Sequence, residues 1–206
     1  MDETNLDHAK QRMKKPEDHW QPRQVLLFSG HMIDAPNRLS PRFPAEKESI
    51  AAQKIAEALK QLDVGPEDLA LTQGACGGDL LFTEACQHRN VIVQWLQPFH
   101  EQEFIQKSVI CRGEIWRDRY VAAKAKLTTA IRSAPEQLGS LPEGVDPYER
   151  CNLWLVHTAL AYGVEKVHFI CLWDGGGGDG KGGTAHMYAE VERKSGNVTW
   201  IDSRIL

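Results

Sequence analysis

Two glycine-rich stretches hold the residue types that bind anions. Gln73-Gly74-Ala75-Cys76-Gly77-Gly78-Asp79 lies between an apolar run, Asp68 to Thr72, and a segment of helical character, Leu80 to Arg89. Asp174 to Thr184 packs seven glycines into the nine positions 175 to 183 and again leads into a helical segment, Ala185 to Lys194. At a strand-to-helix turn, glycine lets backbone approach a ligand closely, and the first free N–H groups of the helix, with its dipole, favour negative charge. Such turns suit phosphate, each charge-assisted bond contributing roughly 1.5–3 kcal/mol. The plainer readings are that Asp79 caps its helix and that the second stretch is a flexible linker. Against the linker, ordering so many glycines has a high entropic cost, which a bound ligand would offset. No Gly-Lys-Ser/Thr closes a P-loop, Asp174 and Asp179 do not fit a calcium loop, and no zinc spacing occurs, so neither a metal nor a cofactor is expected.

Other candidates surround these turns in the sequence. Ser29-Gly30-His31 ends the first apolar run, and His31 reads either as a loop histidine or as one that assists a departing base. Arg112, Arg117 and Arg119 form a basic cluster that would clamp phosphate or pair with neighbours such as Glu114 and Asp118. Asn152 is the polar member of an otherwise apolar helix and needs hydrogen-bond partners, from backbone or from a ligand. Lys181, Gly182, Gly183, Thr184 and His186 complete the second turn, with Lys181 as a countercharge. Cys76, before a helix start and with His31 as a possible base, has the makings of a nucleophile, but no third residue orients that histidine.

These residues need a scaffold that gathers them. Gln24 to Phe28, Asp68 to Thr72, Val91 to Leu96, Lys166 to Trp173 and Asn197 to Asp202 read as strands, the first a continuous apolar run suited to burial on both faces. Between them, Ala45 to Leu62 has helical periodicity at Ile55, Leu59 and Leu62, and Tyr120 to Arg132 reads as a helix. Asp146-Pro147-Tyr148-Glu149 is a helix start with Asp at N-cap, Pro at N1 and Glu at N3, which makes Glu149 a structural residue. Residues 133 to 145 read as a loop. Alternating strands and helices predict an α/β fold, a Rossmann-like three-layer αβα sandwich with a mainly parallel sheet of about five strands and its ligand at the C-terminal strand edges.

With 206 residues and 42% hydrophobic content the chain has room for one sizeable core, so residues 23–206 are expected to form a single domain after a polar tail or linker at 1–22. The net charge of −4 disfavours duplex nucleic acid as a partner. Five cysteines without a CxxC pair suggest a reducing compartment, and neither a signal peptide nor a membrane-spanning run is evident, so a cytoplasmic location is expected.

Ser29-Gly30-His31, Gly74-Ala75-Cys76-Gly77-Gly78-Asp79 with Glu84-Ala85, and Gly182-Gly183-Thr184 together resemble the SLOG superfamily. These are Rossmann-like domains related to lonely-guy phosphoribohydrolases and DNA-processing A proteins. Cys-Gly-Gly-Asp, followed at a distance by Leu-Trp-Asp-Gly and Gly-Gly-Thr-Ala-His-Met, looks most like a bacterial branch associated with signalling and defence. The resemblance spans about residues 24 to 202 and implies a pocket for a nucleotide-derived small molecule, with a fused or co-encoded effector domain as a partner. The lonely-guy branch cleaves N-glycosidic bonds with a Gly-Gly-x-Gly-Thr-x-x-Glu motif. Here Lys181 replaces its second glycine and Met187 stands at the glutamate position, a departure that spares phosphate binding but not hydrolysis. Three functions are therefore open: a ligand sensor, a nucleotide N-ribosyl hydrolase using Glu84 or Asp79, and an oligomerisation scaffold with a vestigial site. Self-association into a homo-oligomer is expected in each.

Overall fold

Val25-Leu26-Leu27-Phe28 sends alternate side chains into two separate cores, as a strand buried on both faces must. This is the centre of the computed structural model, which describes residues 20–177, 183–194 and 197–206. Strand β1 (Val25–Gly30) pairs in parallel with β2 (Leu69–Thr72) on one side and β5 (Val167–Trp173) on the other. β3 (Ile92–Gln97) and β4 (Arg132–Ser133) extend the sheet beyond β2, and β6 (Val198–Asp202) extends it beyond β5. The order is β4-β3-β2-β1-β5-β6, with every pairing parallel. The direction of winding therefore reverses between β1 and β5. In the register, Val25 stands opposite both Leu69 and Val167.

Parallel strands need crossovers, and here helices supply them. Helices α1 (Glu48–Gln61), α2 (Gly78–Gln87), α3 (Glu101–Ser108) and α4 (Glu114–Lys124) share one core with Leu26, Phe28, Val93 and Ile170. Helices α5 (Ala134–Leu138), α6 (Pro147–Leu160) and α7 (Thr184–Lys194) share the other with Val25, Leu27, Phe169 and Cys171. The result is the expected α/β sandwich with Rossmann-like layering, with six strands rather than about five. The extra strand, β4, has only two residues, held by Leu96 and Gln97, and a pair of residues has no periodicity to read.

The region around it also differs from expectation. The helix anticipated over Tyr120 to Arg132 begins earlier, at Glu114 after Gly113 (φ 119°), and ends at Lys124. Its buried stripe, Trp116, Tyr120 and Ala123, sets that position, with Tyr120 packed on Trp95 and Phe104. Arg132 leaves the helix to join β4, and the presumed loop after it contains α5. Of the polar tail expected at 1–22, residues 1–19 lie outside the described residues. Among the described residues, no helix is long and apolar enough to cross a membrane.

Candidate functional site

The carboxyl of Asp79 fills the first glycine turn from within. Asp79 is buried near the start of α2, and its side chain turns back to the loop, where Oδ2 accepts the Ala75 N–H at 3.3 Å. The Gln73 and Gly30 backbone and the Thr72 hydroxyl lie near enough to favour its ionised form. The helix N-cap is Gly77, so Asp79 is not the capping residue. Burial nevertheless raises the Asp79 pKa from 3.8 to about 7, because those neighbours only partly replace lost hydration.

Protein acceptors engage further amides of this turn. The Cys76 N–H donates to the Ser108 carbonyl at 2.8 Å and the Gly78 N–H to the His31 carbonyl at 3.0 Å. The glycines serve this packing. Gly77, at φ 88°, lies so close to the segment after β1 that a Cβ would stand 2.5 Å from Ile33 N and 2.8 Å from His31 O. Gly74 lies under the Trp95 ring in the same manner. The Ala75, Cys76 and Gly78 amides are thus taken up holding Asp79, the end of α3 and the segment after β1, so a phosphate resting on the turn would have to displace bonds already made.

Above Asp79 opens a cleft of about 380 Å³ at the C-terminal ends of β1, β2 and β5, where the sheet's winding reverses. Ser29, Gly30 and His31 line it from the end of β1 and just after it, Gln73 and Ala75 from the turn after β2, Asp79 from α2, Trp173 from β5, and Gly183 and Thr184 from the start of α7. Asn152 of α6 is buried in its wall, and its Oδ1 accepts from Gln73 Nε2 at 2.8 Å. The Ser29 and Thr184 hydroxyls are 3.2 Å apart. Ser108 and Tyr148, whose hydroxyls are 3.0 Å apart, stand on the same rim as Asp146, the α6 N-cap that accepts the Tyr148 and Glu149 N–H groups at 2.9 Å. Arg42 is the single lysine or arginine among the described lining residues.

His31 joins the two strands nearest the switch. Its Nε2 is 3.1 Å from both the Asp174 N–H and Asp174 Oδ1. Burial lowers the His31 pKa and Arg42 adds to that, outweighing the attraction of Asp174, so the neutral ring accepts the backbone N–H. On protonation the same nitrogen would turn donor to the Asp174 carboxylate.

Of the residues singled out from sequence, Ser29, Gly30, His31, Ala75, Asp79, Asn152, Gly183 and Thr184 line the cleft. Gly74, Cys76, Gly77 and Gly78 stand behind it, and Asp174 lies against His31. His186 faces Glu149, 3.6 Å from its carboxylate, rather than the cleft. Lys181 and Gly182 lie outside the described residues. Met187 is fully buried in the second core. Ser108, Tyr148 and Trp173 were not singled out. Trp173 had a signal, since it ends a strand on the ligand-side edge; Ser108 and Tyr148 meet only through tertiary packing.

The arginine cluster is elsewhere. Arg119 grips Glu84 with two bonds, Nε to Oε1 at 2.8 Å and Nη2 to Oε2 at 2.6 Å. It also reaches Glu48 at 2.6 Å and lies over the Trp116 ring. Arg117 pairs with Glu114 on the surface, and Arg112 donates to the Ile33 carbonyl. Neither Arg117, Arg119 nor Glu84 is a cleft-lining residue. Arg119→Ala should therefore destabilise the protein by about 2 kcal/mol, since it removes a forked ion pair that ties α1, α2 and α4 together. Arg117→Ala should leave the melting temperature unchanged, as isolated surface pairs contribute little. Equal effects in thermal denaturation would contradict this structural division.

Compared with known proteins, the chain matches no family model and no curated protein.

Proposed function

We propose that the cleft binds a nucleotide-derived small molecule and that the protein acts as a ligand sensor. The observation that carries this reading is the convergence of buried Asp79 and Asn152, with Gln73, in a cleft at the strand-order switch, where open α/β sheets take their ligands. Its volume falls toward the lower end of the small-molecule range, which favours a mononucleotide-sized ligand. In this reading Asp79 receives ribose hydroxyls and the Gln73–Asn152 amide pair reads a base edge. Trp173 offers a ring face, while Arg42 and the α7 start at Thr184 hold the phosphate. The resemblance to SLOG domains supports a bacterial signalling or defence role, with binding transmitted to a fused or co-encoded effector and with self-association.

A second reading rests on the Asp79 pKa of about 7, which suits proton transfer near neutrality. The carboxyl would protonate a departing base while water attacks C1′ of the sugar. Glu84, held by Arg119, is not in a position to share that role.

Both are tested by incubating the protein with AMP, ADP, cyclic mono- and dinucleotides, NAD and ADP-ribose, recording melting temperature and free base. A ligand at 100 times its Kd adds roughly 2.7 kcal/mol of stability, or about 5–11 °C for a chain of this length. Asn152→Ala should remove most of that shift. A shift without base supports the sensor, base release that Asp79→Asn abolishes supports the hydrolase, and no response to the whole panel sinks both.

A further inference from the structure

Two of the five cysteines meet beside the cleft. Cys76 is buried in the first glycine turn, and Cys111 is exposed in the short 3-10 turn Ile110–Arg112 between α3 and α4. Their segments are already joined, since the Cys76 N–H donates to the carbonyl of Ser108, three residues before Cys111. The two thiols are neighbours across this junction, near enough for each to shift the other's ionisation. Cys86, Cys151 and Cys171 are each buried.

We propose that Cys76 and Cys111 form a reversible disulfide, a peroxide-sensitive modification site that braces the wall of the cleft. The inference does not depend on what the cleft binds. Cys111 is the entry point because it is exposed and because the neighbouring Cys76 thiol and the Arg112 charge both favour its thiolate. Its sulfur attacks hydrogen peroxide: an S–O bond forms, the O–O bond breaks and hydroxide leaves, so Cys111 becomes a sulfenic acid while the peroxide is reduced. The Cys76 sulfur then attacks the Cys111 sulfur. An S–S bond forms and the S–O bond breaks, and the departing hydroxide takes the Cys76 proton to give water. A dithiol reductant returns both thiols. The bridge fixes the Ala75–Cys76 backbone to the segment after Ser108, and Ala75 and Ser108 both line the cleft.

The test treats the reduced full-length protein with a few equivalents of hydrogen peroxide, alkylates remaining thiols under denaturing conditions and maps the peptides by mass. The expected result is a Cys76–Cys111 linked peptide, loss of two of the five alkylatable thiols, reversal by dithiothreitol and a rise in melting temperature of about 5–10 °C. Cys111→Ser should block the bridge without affecting folding, because that residue is exposed. Cys76→Ala should leave a sulfenic acid at Cys111 that dimedone traps. A Cys111 that proceeds to sulfinic acid or links two chains in the wild-type protein, while Cys76 stays alkylatable, would overturn the proposal. So would linkage of any other cysteine pair ahead of this one.

Discussion

Replacing Gly77 with alanine should lower stability by about 3–5 kcal/mol, one of the larger single-residue effects available in this chain. Two costs coincide at this position. A φ of 88° is strained for any residue with a Cβ, and the new Cβ would sit against the backbone of the segment after β1. Backbone cannot swing aside as a side chain would, so the loop carrying His31 to Ile33 would have to shift, lengthening the bond from Gly78 N–H to His31 O. Gly113 is the control: at φ 119° it is also strained, but a Cβ there meets open space. Gly113→Ala should cost no more than the strain alone, about 1–3 kcal/mol. Urea denaturation of the two variants separates strain from collision, and equal losses would show that contact with the first loop is not what fixes Gly77.

Asp79→Asn should raise stability at pH 8 by about 2–3 kcal/mol while weakening ligand binding by roughly 10–100-fold. The sign follows from linkage. Unfolded, the carboxyl releases its proton near 3.8; folded, it holds it until about 7. Below pH 4 both states are protonated and the group is neutral in its effect. Between pH 4 and 7 only the unfolded state releases its proton, so stability falls as pH rises, by up to roughly 4 kcal/mol, and the loss is complete above pH 7. Asparagine cannot ionise yet keeps one carbonyl to accept the turn's amides. The stabilisation should thus be present at pH 8 and vanish by about pH 4, read as the difference between variant and wild type so that other titrating groups cancel. A variant less stable than wild type at pH 8 would mean the loop needs both carboxylate oxygens. A charge kept at such cost in a cleft points to a role for it there.

Much of the frame is legible in the sequence because its elements obey local rules. Gln24 to Phe28 reads as a doubly buried strand, and Asp146 with Pro147 marks the α6 start, since capping is settled within three residues. Residues 97–145 resist because α5 is short, β4 has only two residues and α4 is placed by contacts with Trp95 and Phe104 on distant segments. The stripe of Trp116, Tyr120 and Ala123, spaced i, i+4, i+7, was nonetheless available to locate α4.

The site divides along the same line. Glycine turns are visible in a sequence, but what fills them is not. That Asp79 supplies the first turn's anion depends on the direction of one side chain, and that Gln73 meets Asn152 depends on the β2 end facing α6. Of the two readings open for the arginines, phosphate clamp or ion pairing, the structure shows pairing, and Arg119 finds its carboxylates, Glu48 and Glu84, on two other helices rather than on its own.

The central strand also sets a timetable for synthesis. β1 leaves the ribosome before its partners, finds β2 early, yet its other edge pairs with β5, whose first register partner, Val167, lies far along the chain from Val25. At roughly 5–20 residues per second that edge waits for about 7–30 s, with the backbone of an apolar strand unpaired. The nascent chain is therefore most open to mispairing at the segment that later anchors the cleft, and a faster-translating host should yield more soluble protein than a slower one.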